Sequence, residues 1–421
     1  MTHSRARSRH RKQVVVYTPA DARRRLRWLA LLCALALGPW AGPLSAQTTR
    51  EAQIEQQQAA KAARLHPPEK SKAEKITNAL AGYFTLPTGP YPWFGSVYGG
   101  GGLSFGAGYR QVFGDSGTYN VLAGYSIRNY KLLQGGLALP QIAHGRVRTD
   151  IGARWIDAPR VSFYGLGNDS TRGEKTSFDY QPLRLDGTVT IAPAKWLEFG
   201  GGPFYEDIRT GRGARAPSIE DRFGSGTTSA VPGIGADVSF VGARAFAGID
   251  WRTSPGYTRR GGFYFVEWSR YVARENRPYD FDRVDADVRQ FIPILRENWV
   301  IVLRGHSVLT TGRNGGDVPY FQMPFLGSGQ TLRGFANHRF IDRNLLLLQA
   351  EYRWTPSPVV DMAIFYDAGK VAARRKDLDF DGLHTDWGIG VRFHGPTMTA
   401  LRVDLAKSRE GWGLIFGTGL F

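Results

Sequence analysis

From about residue 91 onward the chain alternates between apolar and polar positions in short segments. Arg283, Asp285, Asp287 and Arg289 fall on one face of such a segment, and Val284, Ala286 and Val288 on the other. Leu401, Val403 and Leu405 oppose Arg402 and Asp404 in the same way. In 344–354, Leu346, Leu348, Ala350, Tyr352 and Trp354 share one face, and Gln349, Glu351 and Arg353 share the other. A period of two with one greasy and one charged face predicts strands lying between an apolar and a polar phase. About sixteen such segments follow one another, the first a Gly-rich stretch at 96–100. They predict an all-β fold.

Alternation alone fits a soluble sandwich and a membrane barrel equally well. The connections distinguish them. Short ones (114–117, 140–144, 193–194, 296–298, 355–360 and 395–397) alternate with long ones (157–178, 207–235, 272–280, 310–343 and 372–384). With strands numbered in order, the short connections fall at one end and the long ones at the other. Short turns on one side and long loops on the other mark an outer-membrane barrel. The predicted fold is therefore an antiparallel transmembrane β-barrel of about 16 strands, with a short N-terminal helical segment.

Composition agrees. Mean hydropathy is -0.30, and beyond the N-terminus no apolar run is long enough for a membrane helix. The 52 glycines and 13% aromatics suit barrel bends and interfacial girdles. Net charge is +17; residues 1–46 hold nine Lys/Arg and one acid, or +8, which leaves +9 for the rest. No nucleic-acid motif accompanies this excess, so the expected anions are outer-membrane lipids, lipopolysaccharide included, and not nucleic acid.

The chain divides into three parts. Residues 1–46 read as a signal peptide: Arg23, Arg24, Arg25 and Arg27 precede an apolar run at 28–37, and Leu44-Ser45-Ala46 offers a cleavage site. Residues 47–90 read as a short periplasmic helical and linker segment, interrupted at Pro67-Pro68. Residues 91–421 form the barrel. The one cysteine, Cys33, lies in the first part, so the mature chain has no disulfide and no thiolate chemistry.

Candidate chemistry concentrates in 324–371. Arg333 is the one Lys/Arg of the Gly-rich stretch 327–335, flanked by Leu332, Gly334 and Phe335. Glu351 and Asp367 sit on inward faces of the two strands that follow. A guanidinium can bridge two carboxylates, so the loop is expected to fold into the lumen and pair there. Enzymatic readings find no support: the histidines are scattered, His306 and His394 face inward, and no nucleophile elbow is present. No cofactor or metal is expected; Asp377, Asp379 and Asp381 read as a solvated loop.

Residues 332–335 resemble the [V/L/I]-R-G-[F/Y] tetrad of the BamA/TamA outer-membrane assembly superfamily, the bacterial surface antigens. Glu351-Tyr352-Arg353 is similar to the Glu-aromatic-basic end of that family's next strand. Phe365-Tyr366-Asp367-Ala368-Gly369 is similar to its aromatic-x-Asp-x-Gly pattern. Phe163 to Ser170 and the Pro255…Gly261-Gly262 turn also resemble family segments. Phe416 and Phe421 resemble its C-terminal barrel-recognition signal. The resemblance implies that the Arg of the tetrad tucks against that Glu and that Asp inside the barrel. It also implies a bacterial outer-membrane location and a role in inserting or moving proteins or lipids through a seam between first and last strands. Gly99 to Gly102 would make that seam weak. Implied partners are unfolded barrel clients or a periplasmic protein, because 47–90 is too short for a POTRA domain, the family's periplasmic client-binding module. The rival expectation is a passive pore or structural barrel plugged by its long loop.

Overall fold

The computed structural model describes residues 56–57, 88–224, 231–275, 278–294, 297–395 and 397–417. Of residues 1–70 only Gln56 and Gln57, helical and exposed, are described. The signal peptide, most of 47–90 and Phe421 lie outside the described residues.

The alternating segments form one antiparallel sheet of sixteen strands that nearly closes into a barrel. The strands are β1 (Gly89–Gly95), β2 (Ser104–Phe113), β3 (Gly117–Ser126), β4 (Lys131–Ala138), β5 (Val147–Phe163), β6 (Thr176–Ala194), β7 (Leu197–Arg212), β8 (Val238–Asp250), β9 (Gly261–Ala273), β10 (Phe281–Ile294) and β11 (Trp299–Gly312). After the longest loop come β14 (Asn344–Ser357), β15 (Val360–Ala372), β16 (His384–His394), β17 (Thr399–Ser408) and β18 (Gly411–Gly417). That loop carries its own two-stranded hairpin, β12 (Phe325–Leu326) with β13 (Phe340–Ile341). The loop after β7 carries a short helix, α1 (Ile219–Phe223). Each strand pairs with its sequence neighbour, except that β11 pairs with β14. Among the described residues no ladder joins β1 to β18.

The two faces invert the usual burial rule. Apolar side chains such as Val121, Ile151, Val266, Leu303, Ile364, Ile389 and Leu414 point outward and are exposed, while charged ones such as Arg304, Glu351, Asp367, Arg392 and Asp404 are buried inside. That is the pattern of a wall between lipid and a filled lumen. No described helix is long and apolar enough to cross a membrane; the strands do the crossing.

One expectation needs correcting. The Gly-rich stretch at 96–100 is not the first strand but part of the connection from β1 to β2. The first strand is Gly-Pro-Tyr-Pro-Trp-Phe-Gly, upstream. Pro90 and Pro92 argue against a central strand, yet an edge strand tolerates residues that cannot donate to a ladder. The glycines serve close approach: a Cβ on Gly99 would lie 2.7 Å from the His338 ring, and one on Gly101 2.8 Å from the Tyr130 ring. The proposed weakness of a glycine seam at 99–102 therefore has no strand to act on.

The lumen is filled. Val97, Tyr130, Phe163, Phe178, Phe204, Phe240 and Phe281 pack against Tyr320, Phe321 and Met323 of the longest loop. On the other side of that loop, Leu326, Leu332, Phe335 and Phe340 pack on Val308, Leu345, Leu347 and Val371. Both clusters draw on the end of the barrel that carries the long loops.

Candidate functional site

The inward face of β14 changes character along its length. Leu345 and Leu347, near the long-loop end, receive the apolar side of loop 313–343. Gln349, Glu351 and Arg353 follow on the same face, all buried. Leu332 and Phe335 therefore dock high in the lumen, and Arg333 between them reaches the polar stretch below.

Arg333 is 2% exposed. Its Nε donates to Asp367 Oδ2 and its Nη2 to Asp367 Oδ1, both at 2.7 Å. Nη1 donates to Glu351 Oε2 at 3.0 Å and to Asp404 Oδ2 at 3.4 Å. The guanidinium lies 3.4 Å from the centroid of the Phe365 ring. Phe365 faces Glu351 across the β14–β15 ladder, and Asp367 faces Gln349. The strand register thus sets two acids and a ring around one cation.

Gly334 is fixed by close approach. A Cβ there would lie 2.7 Å from Asp386 Cβ and 2.9 Å from Ser408 Cβ. Ser408 Oγ donates to the Gly334 carbonyl at 2.7 Å. Leu332, Arg333, Gly334 and Phe335 thus each meet the wall: two by apolar packing, one by charge, one by backbone.

The site is larger than the sequence suggested. Glu351 also meets Arg353 Nε at 2.5 Å and Arg392 Nη2 at 2.9 Å. Asp404 also meets Arg392 Nη1 at 2.8 Å and Arg402 Nε at 3.2 Å. Gln349 ties the network to the loop through the Thr331 carbonyl at 2.9 Å, and Arg304 does so through the Gln330 carbonyl at 2.9 Å. Arg402 bonds the Gly329 carbonyl. Arg304 pairs in turn with Asp287 at 2.8 Å. The network therefore runs from β10 to β17. Asp404, Arg392 and Arg402 went unassigned; the Arg402–Asp404 alternation was the available signal, but nothing in one strand says which distant loop will meet it.

Two further clusters flank the network. Near the long-loop end, Arg339 donates to Ser170 Oγ at 2.9 Å and to the Ser170 carbonyl at 2.7 Å, and pairs with Glu410 at 2.8 Å. Residues 164–170 turn away from the end of β5, with Gly165 and Gly167 at positive φ; Asn168 bonds the Gly382 carbonyl and the Val371 N–H. At the short-turn end, the connection 251–260 folds across the strand ends. Arg259 pairs with Asp361 at 2.9 Å and bonds Thr355, the Tyr257 hydroxyl and the Glu297 carbonyl. Tyr257 stacks on His394, centroids 3.9 Å apart, and its hydroxyl donates to Asp361 at 3.1 Å. The Gly256 carbonyl accepts from the Thr399 N–H at 2.9 Å.

Residues 268–419 match the Omp85 superfamily domain. The second part of the barrel thus carries an Omp85 superfamily domain. No curated protein matches the chain. Among solved structures, BamA from Haemophilus ducreyi lacking POTRA domains 1–3 aligns at TM-score 0.57 and 14% identity, over 78% of this chain and 69% of that one. CdiB from Escherichia coli aligns at TM-score 0.50 and 14% identity, over 76% of this chain and 58% of that one. At such identity the likeness is one of fold. The matched domain begins in β9 and contains the tetrad, Glu351 and Asp367. It also contains Phe416, which is 66% exposed on the outward face of β18.

No metal cluster occurs among the described residues. Asp379 pairs with Lys370 at 2.6 Å and Asp377 with Arg374 at 2.8 Å. Two of the three loop acids are thus engaged by cations.

Proposed function

We propose that this Omp85-type barrel acts in outer-membrane biogenesis, inserting or translocating proteins or lipids through the gap between β1 and β18, without enzymatic chemistry. The observation that carries the reading is a filled lumen beside an unjoined wall. Among the described residues β1 and β18 each span 7, against 17 and 19 for β5 and β6. Short edge strands offer few ladder bonds, so closing them gains little and parting them costs little. An exposed strand edge can also template a client strand, whose backbone groups must pair in lipid. Unfolded barrel proteins fit as clients, and a periplasmic partner fits as the supplier of client docking.

The passive-pore reading is weaker, because the apolar clusters and the Arg333 network occupy the lumen. The test is the folding rate of an unfolded client barrel into liposomes, with and without the reconstituted protein, alongside single-channel conductance. Faster client folding with no stable conductance is the expected result. A correctly folded protein that leaves the client rate unchanged overturns the autonomous reading.

A further inference from the structure

One outward row of side chains crosses the last four strands. Tyr366 on β15 faces Trp387 on β16, Trp387 faces Lys407 on β17, and Lys407 faces Trp412 on β18. Their neighbours Asp386, Ala406 and Ser408 point inward and are buried, so this row faces away from the lumen. Trp387 and Trp412 are 52% and 60% exposed, with ring centroids 6.0 Å apart and an interplanar angle of 72°. The Lys407 ammonium lies 5.3 Å from the Trp412 centroid. Two residues on, with the same parity, Arg409 stands exposed in the β17–β18 turn. Arg172 reaches the same turn and donates to the Glu410 carbonyl at 2.8 Å. Glu410, the turn's one acid, is already paired with Arg339.

We propose that this row binds the phosphate groups of an outer-leaflet glycolipid, lipopolysaccharide, beside the β1–β18 gap. Tryptophan settles at the headgroup level of a bilayer because its ring is apolar and its N–H polar. A lysine between two such rings lays its stem along them and presents its ammonium at the same depth. Arg409 and Arg172 continue the positive charge outward along the turn, and no uncompensated acid of the row or turn opposes it. Phosphates carried on a sugar above the acyl chains meet Lys407 first and Arg409 next, while the chains lie on Ile389, Leu405 and Leu414 below. A lipid held there borders the strand that a client would displace. The proposal rests on the outer-membrane orientation, with the long loops outside, but needs no client insertion.

The test titrates the folded barrel in detergent with phosphorylated lipid A, with dephosphorylated lipid A and with phosphatidylglycerol, read by native mass spectrometry. A basic residue beside an anionic lipid surface contributes about fivefold in affinity, so Lys407→Gln with Arg409→Gln should lose roughly twenty-fivefold for phosphorylated lipid A. Lys131→Gln, on the outer end of β4 and already paired with Asp157, should change nothing. All three side chains are away from the lumen, and heat-modifiable migration checks that each variant is folded. Equal affinity for the phosphorylated and dephosphorylated forms overturns the proposal. So does wild-type affinity in the double variant, or equally tight binding of phosphatidylglycerol. A barrel that binds lipid A as expected but fails to accelerate clients leaves this site standing and removes only the insertion reading.

Discussion

Arg333→Ala removes contacts to three carboxylates, but they do not suffer alike. Glu351 keeps Arg353 and Arg392, and Asp404 keeps Arg392 and Arg402. Asp367 keeps the Gln349 amide, at 3.1 Å, but none of these cations, and it faces the buried Asp386 carboxyl across the β15–β16 ladder. One buried carboxylate is therefore stranded, which costs about 3–5 kcal/mol when fully desolvated and less where water enters. The partner choice follows. Arg333→Ala with Asp367→Asn should recover most of the loss. Arg333→Ala with Glu351→Gln should not recover the loss, because Asp367 stays stranded and Arg353 and Arg392 each give up a Glu351 contact, Arg392 keeping Asp404. The assay is the rate at which protease cuts loop 313–343 in the folded barrel, since cutting tracks the open population when reclosing is fast. About 3 kcal/mol corresponds to cutting roughly a hundredfold faster. Leu332, Phe335 and Phe340 remain as apolar anchors, so the barrel itself should stay folded. Cutting within threefold of wild type would refute the reasoning, and so would rescue by Glu351→Gln equal to that by Asp367→Asn.

Three other outcomes are expected. Gly334→Ala drives a Cβ to 2.7 Å from Asp386 Cβ and 3.1 Å from the Ser408 nitrogen, which should loosen the loop by about 1–3 kcal/mol in the same protease assay. His338, in the loop and outside the spanning strands, stacks between Phe325 and Tyr98, and burial pushes its pKa from 6.5 down to about 3. Docked and released loops both carry neutral His338 above pH 6.5; below it the released loop binds a proton and the docked one does not. Loop docking should therefore weaken steadily from pH 6.5 toward 3, and His338→Phe should flatten that part of the pH profile. Arg259→Ala leaves Asp361 with Thr355, Tyr257 and His394, so it should destabilise the barrel by a modest amount, about 1–3 kcal/mol, read as a lower midpoint of heat-modifiable unfolding. Arg259→Lys should not restore it, because an ammonium lacks the planar fork.

Strand count and the inward face of β14 were legible because a period of two assigns faces without further information; the choice of Glu351 and Asp367 as partners of Arg333 was legible only through the resemblance of 332–335, 351–353 and 365–369 to the BamA/TamA motifs. The loop lengths were legible because one end of a barrel turns tightly. The first strand was not, since Pro90 and Pro92 obscure an edge strand and the glycines after it look like the weaker element. Asp404, Arg392 and Arg402 could be placed on an inward face but not beside Arg333: closing a barrel brings β17 toward a loop seventy residues earlier, and no local pattern encodes that. The Arg259–Asp361–His394 cluster was hidden for the same reason.

The most direct test of the β1–β18 route is a cysteine pair placed across β1 and β18 in a Cys33→Ser background, compared oxidised and reduced in the client-folding assay. The account predicts that the reduced protein accelerates client insertion, that the disulfide abolishes the acceleration, and that reduction restores it. Equal acceleration with the pair verifiably closed would contradict it, because the client would then have entered by another route.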